Sequence, residues 1–195
     1  MHEPDRDREL ARPRETGPEA APRGSSGAPT WLVSALARTE DSEALERVAS
    51  ALDRASAGLR ERPRARAVLR GDRLGHALHP LLTDFPLGMW RSANYLDLLG
   101  GCRARPAATA LVALGTAAAV PTVASGIAEW LETSDRARRV GIAHAAINGT
   151  AALLYAASLA ARLTGRHRAG VLLALAGGVS ATTGGYLGGH LSLVH

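Results

Sequence analysis

The sequence predicts an all-α fold: an integral membrane, antiparallel four-helix bundle with a disordered N-terminal tail and an amphipathic N-terminal helix. Three observations predict it. The 195 residues divide into unlike halves, with 14 arginines against 13 Asp and Glu before Leu74, and 9 arginines against 5 acids after it. The second half contains four Ala/Leu/Val/Gly blocks, each near the twenty residues that cross a hydrocarbon core of about 30 Å. The positive charge is all arginine, and the arginines gather at the ends of those blocks or in the acid-matched first half. Membrane flanks account for that placement. No basic face interleaved with aromatics is present, so no nucleic-acid partner is expected.

Residues 1–29 are charged, rich in Pro and Gly, and nearly free of large apolar side chains. Such a segment cannot bury enough surface to offset its chain entropy, and it reads as a disordered tail. It has no apolar signal core, so the spans themselves are expected to direct insertion. Residues 30–73 read as an amphipathic helical arm and a basic linker. Trp31, Leu32, Leu36, Leu45, Val48, Leu52 and Leu59 recur at spacings of three, four and seven. Either a partner helix or the membrane surface would cover that face. Pro63 is expected to stop the helix, with arginines running on to the first span.

The membrane domain covers 74–195, with spans at about 80–100, 106–130, 140–161 and 169–191. Gly115 with Ala119, and Gly184 with Gly188, set small residues four apart for close helix contact. Pro121 predicts a kink in the second span. Nine arginines flank the spans on the amino-terminal side and five (Arg103, Arg105, Arg162, Arg166, Arg168) on the other. This bias favours both termini in the cytoplasm. Cys102 is the single cysteine, which excludes an intrachain disulfide and any cysteine-ligated cluster within the chain.

With four alternating spans, depth follows from counting. His76 and His79 open the first span, Glu129 ends the second, His144 starts the third and His190 ends the fourth. All five fall at one membrane face, together with Asp84. Helical spacing also aligns His144 with Asn148, Ala151 and Tyr155. It aligns Thr122 with Ser125 and Glu129, and Thr182 or Thr183 with Tyr186 and His190. Asp84, Gly88, Arg91 and Tyr95 form a further stripe, on which Arg91 can reach toward Asp84. Polar stripes in lipid should face the bundle interior. Imidazoles from facing helices can hold haem iron axially, and three histidines with a carboxylate can hold a transition metal. The same residues can also act as polar knobs that fix helix packing. The candidates for haem or metal binding are therefore His76, His79, His144 and His190, supported by Asp84, Arg91, Glu129, Asn148 and Tyr186. No nucleophile elbow, Walker lysine or nucleotide fingerprint is present, so no catalytic residue is named and enzymatic activity is not expected.

The segments GHALHPLLTDFPLGMW, SGIAEW, RRVGIAHAAINGTAALLYAASLAAR and GGYLGGHL together resemble the bacterial membrane family filed as domain of unknown function 2231, in its actinobacterial form. The resemblance runs over roughly residues 70–193. It implies a four-span membrane domain, often fused or adjacent to a Rieske-type iron–sulfur domain. His76, His79, His144 and His190 fall on the family's motif positions, whereas Arg91 stands where a small polar residue is expected. A Rieske-type partner would here be a separate chain. The resulting expectation is a haem b-binding electron-transfer module working with a Rieske-type or quinone partner, surrounded by membrane lipid and able to form a homo-oligomer. The alternatives are a non-redox membrane interaction or scaffold protein whose arm recruits a partner, and a transition-metal-binding membrane protein.

Overall fold

The computed structural model describes residues 43–133 and 135–194. The expected disordered tail and the first part of the arm, including Trp31 and Leu36, lie outside them. Among the described residues the chain is all-helical, with no strand. Three helices make the arm: α1 (Glu43–Ala55), α2 (Ala57–Arg60) and α3 (Pro63–Arg70). Four long helices follow: α4 (Leu78–Leu99), α5 (Arg105–Trp130), α6 (Asp135–Leu163) and α7 (His167–Val194). Two stretches, Cys102–Trp130 and Gly141–Leu163, are long and apolar enough to cross a membrane.

Pro63 does not lead into an irregular linker. It occupies the first turn of α3, where its missing N–H would have had no helical partner and its fixed φ suits the helix. Gly71, at φ 82°, then ends α3 in the left-handed region. Three apolar residues in the described part of the arm pack within the chain. Ala49, Leu52 and Leu59 pack on Trp130, Leu131 and Ile142 at the facing ends of α5 and α6. Ion pairs surround this contact: Asp53 with Arg138 at 2.7 Å and with Arg60, and Glu132 with Arg70 at 3.0 Å and with Arg66. The Arg138 guanidinium lies 4.6 Å from the centre of the Trp130 ring, a cation–π contact.

Among the long helices, α4 packs closely on α5 and α6 on α7, while α5 meets α6 and α4 meets α7. Glycines set both close pairs. Along α5, Gly126 lies under the His79 ring and Gly115 under Trp90, so positions eleven apart on one helix seat side chains eleven apart on the other. Along α7, Gly170, Gly177 and Gly184 lie against Arg162, Tyr155 and Asn148 of α6, in steps of seven on both helices. A methyl group at Gly177 would come within 2.9 Å of the Tyr155 ring. Only glycine leaves room for such bulky polar side chains at a helix contact. Where these four helices meet, the core is Trp90, Ala93, Val112, Ala119, Tyr155 and Ala174, with the Trp90 and Tyr155 rings stacked at 4.3 Å.

Two prolines sit inside long helices. Pro86 frees the carbonyl of Leu82, and the Thr122 hydroxyl of α5 donates to it at 3.2 Å. α5 runs on through Pro121 to Trp130. Along α4 to α7 polar side chains are buried beside the apolar core and large apolar ones face outward. Thr122, Ser125, Ser158 and Arg162 are buried, while Phe85, Leu99, Leu114, Val120, Leu153, Leu172 and Val179 are exposed.

A two-histidine site at one end of the long helices

α4 and α6 bring two of the four candidate histidines together. The His79 and His144 rings have centroids 6.4 Å apart and meet edge-on, at 79° between planes. Each is oriented through Nδ1. For His79 the partner is the Thr122 carbonyl at 2.9 Å, with the Ser125 hydroxyl at 3.4 Å. For His144 it is the Gly184 carbonyl at 3.1 Å. A carbonyl only accepts, so in the neutral ring Nδ1 carries the proton and Nε2 holds the lone pair. Carbonyl-anchored Nδ1–H groups are the usual outer partners of imidazoles that ligate through Nε2.

The surroundings follow from local sequence. The His79 backbone N–H, unpaired within the first turn of α4, donates to a Glu129 carboxylate oxygen at 3.3 Å. Gly126 lets the His79 ring lie against the α5 backbone. Asn148, one turn beyond His144, donates to the His144 carbonyl at 3.0 Å and places its amide nitrogen 3.3 Å from both ring nitrogens. Glu129 and Asn148 thus support the two histidines.

The other candidates are placed differently. His76 is exposed and lines an open cavity of about 340 Å³ with Arg70, Gly71, Asp72, Gly75, Ala77 and Glu129. His190 falls in the last turns of α7, and its side chain lies outside the described residues. Tyr186 is exposed. Asp84 and Arg91 lie on the outer face of α4, and neither forms an ion pair among the described residues. The inner face is taken instead by His79, Pro86, Trp90, Ala93 and Asn94, which leaves the stripe from Asp84 to Tyr95 pointing outward. Among the described residues no three His, Cys, Asp or Glu side chains gather as a metal site.

A second polar cluster lies at the opposite end. The Arg162 guanidinium grips both carboxylate oxygens of Asp97, with Nη1 3.0 Å from Oδ1, and both side chains are 1% exposed. Arg162 Nε donates to the Ser158 hydroxyl, which donates to the Gly170 carbonyl at 2.6 Å. His167 Nε2 stands 3.8 Å from Asp97. Burial, then the charges of Arg162 and Arg105, hold the His167 imidazole below its usual pKa. Counting Arg162 as a loop residue is thereby corrected: α6 runs to Leu163 and takes Arg162 inside. Between the two ends, Asn94 donates to the Tyr155 hydroxyl at 2.9 Å. Asp97 went unnoticed in the sequence, although it and Arg162 end helices at the same level with opposite charge.

No curated protein and no solved structure matches the chain. The model of the family described as "Predicted membrane protein (DUF2231)" matches residues 75–195, and the chain belongs to that family.

Proposed function

We propose that α4 to α7 cross the bacterial inner membrane as an antiparallel four-helix bundle with both termini in the cytoplasm. We further propose that His79 and His144 hold a haem iron in an electron-transfer module. The span reading is supported by the large apolar side chains exposed on α4 and α7 as well as on the two stretches of spanning length and composition. The orientation is supported by the arginine bias of nine against five.

The observation that carries the haem reading is the pair of Nδ1-anchored imidazoles, 6.4 Å apart, on two different helices. Haem would supply most of the iron's donors itself, so His79 and His144 together would suffice to hold it. Bound haem supplies one-electron chemistry. The chain's own part is to fix both rings through Thr122 and Gly184 and to exclude water with the surrounding helices. The Rieske-type or quinone partner is inferred from the company that members of the family keep.

A visible spectrum of the detergent-purified protein tests this reading. The expected result is a Soret band, with sharp α and β bands on dithionite reduction, which His79→Ala and His144→Ala each abolish. A protein still colourless after haem addition would remove haem from the proposal. Metal analysis of the same sample would then decide for or against a transition-metal site.

A further inference from the structure

Between Arg60 and Leu74, directly before α4, the chain carries six arginines against two acids, Glu61 and Asp72. Three of the arginines are paired within the chain: Arg60 with Asp53, and Arg66 and Arg70 with Glu132. Arg70 also takes Asp72, at 2.6 Å. The pairs with Glu132 fix α3 beside the end of α5. Arg62, Arg64 and Arg73 are exposed and form no ion pair among the described residues. Two large apolar side chains are exposed among them: Val68, one turn beyond Arg64 on the same face of α3, and Leu74, next to Arg73. The apolar exposure carries on into the first two turns of α4, with Leu81 and Phe85.

We propose that the exposed face of α3 lies in the headgroup layer and binds anionic phospholipid, with Val68 and Leu74 entering the acyl boundary and Arg62, Arg64 and Arg73 on the lipid phosphates. The proposal rests on the four-span reading, which sets Glu132, and α3 with it, at the water interface where α4 enters hydrocarbon. Apolar side chains bordered by arginine are what an interfacial helix presents to a bilayer. The arginine stem covers apolar surface while its head stays at the interface, and the guanidinium fork fits phosphate oxygens two at a time. A zwitterionic headgroup brings its own cation to such a site. The unpaired charge here is three arginines against Glu61, so an anionic headgroup is the better complement, as for other basic runs beside a span. The surroundings of α3 single out lipid over a soluble protein. The short connection Gly71 to Ala77 ties α3 to the entry of α4. A soluble protein resting on Val68 and Leu74 would stop at the hydrocarbon, into which Leu81 and Phe85 extend the same apolar exposure.

The test uses the full chain carrying Val68→Cys and Cys102→Ser, with a fluorophore on the new thiol, reconstituted into phosphatidylcholine bilayers. Nitroxide-labelled phosphatidylglycerol or nitroxide-labelled phosphatidylcholine is then titrated in as quencher. The expected result is quenching by phosphatidylglycerol at a mole fraction about tenfold lower, equivalent to one or two arginines at an anionic surface. Replacing all three exposed arginines (Arg62→Gln, Arg64→Gln, Arg73→Gln) should abolish that preference, and high salt should weaken it. Arg103→Gln, at the opposite end of the long helices, should leave it unchanged. Equal quenching by the two lipids, quenching by neither, or a preference that survives the triple exchange would overturn the proposal. Carbonate extraction separates the two layers. Release of the chain from membranes defeats the four-span reading itself, whereas a carbonate-resistant chain without the preference defeats the lipid site alone.

Discussion

Asp97 and Arg162 show how much rests on single side chains in this protein. A buried charge pair contributes little net stability, but removing one member strands the other in a low-dielectric interior, at a cost of about 3–5 kcal/mol. Asp97→Asn and Arg162→Gln are each expected to destabilise the protein by about that amount in thermal unfolding, while Asp97→Leu combined with Arg162→Met recovers most of the loss. This pair was not legible in the sequence for a simple reason. Hydropathy ends the third span at the last alanine, and Arg162 is the next residue, so it looked like a loop charge. The histidines were more legible, since counting helices gave their common depth. Counting cannot tell which way a side chain points around its helix. Hence His79 and His144 meet, while Asp84, five residues further along the same helix, faces outward.

The helices separate glycines that matter from glycines that do not. Gly177 presses on Tyr155, whereas a Cβ at Gly149 would meet nothing within 4 Å. Gly177→Val should therefore cost about 1–3 kcal/mol by overpacking. Gly149→Ala should be neutral or stabilising by up to about 1 kcal/mol, from helix propensity alone. Thermal unfolding in one detergent compares the two. In the arm, α1 is held on α6 by Asp53, whose carboxyl the Arg138 hydrogen bond holds below the usual carboxylate range. A depressed carboxylate pKa contributes stability above its unfolded value, and that contribution is lost as pH falls through the folded value. Hydrogen exchange of the arm amides should be faster in Asp53→Asn than in the parent at neutral pH. The two should converge as pH drops below about 4, the ordinary carboxylate value. The docking of the arm's described part depends on contacts with Trp130 and Ile142, which no local pattern encodes.

For the whole molecule the outstanding question is topology, and the chain carries its own probe. Cys102 is the single cysteine and is exposed in the turn between α4 and α5. With both termini in the cytoplasm, that turn lies outside. A membrane-impermeant maleimide should label Cys102 in cells with an opened outer envelope but an intact inner membrane. Glu61→Cys, in a Cys102→Ser background, should label only after permeabilisation. The reverse pattern would invert the orientation. The all-helical character and the two stretches of spanning length were readable, because hydrocarbon thickness sets block length directly. The way the four blocks pack was not, because it is decided by which glycine meets which polar side chain.

That matching gives the molecule a phase. One residue inserted into α7 between Gly177 and Gly184 would turn everything beyond it by about 100°. Gly184 would leave Asn148, and His144 would lose the carbonyl that orients it. Seven inserted residues would nearly restore the phase, while adding about 10.5 Å of rise and carrying the same glycine past its partner. The same extra residue placed in the turn before His167 would be taken up locally. Tolerance to insertion along this chain should therefore rise and fall with the helices, and the two-histidine end should be sensitive to changes made several turns away.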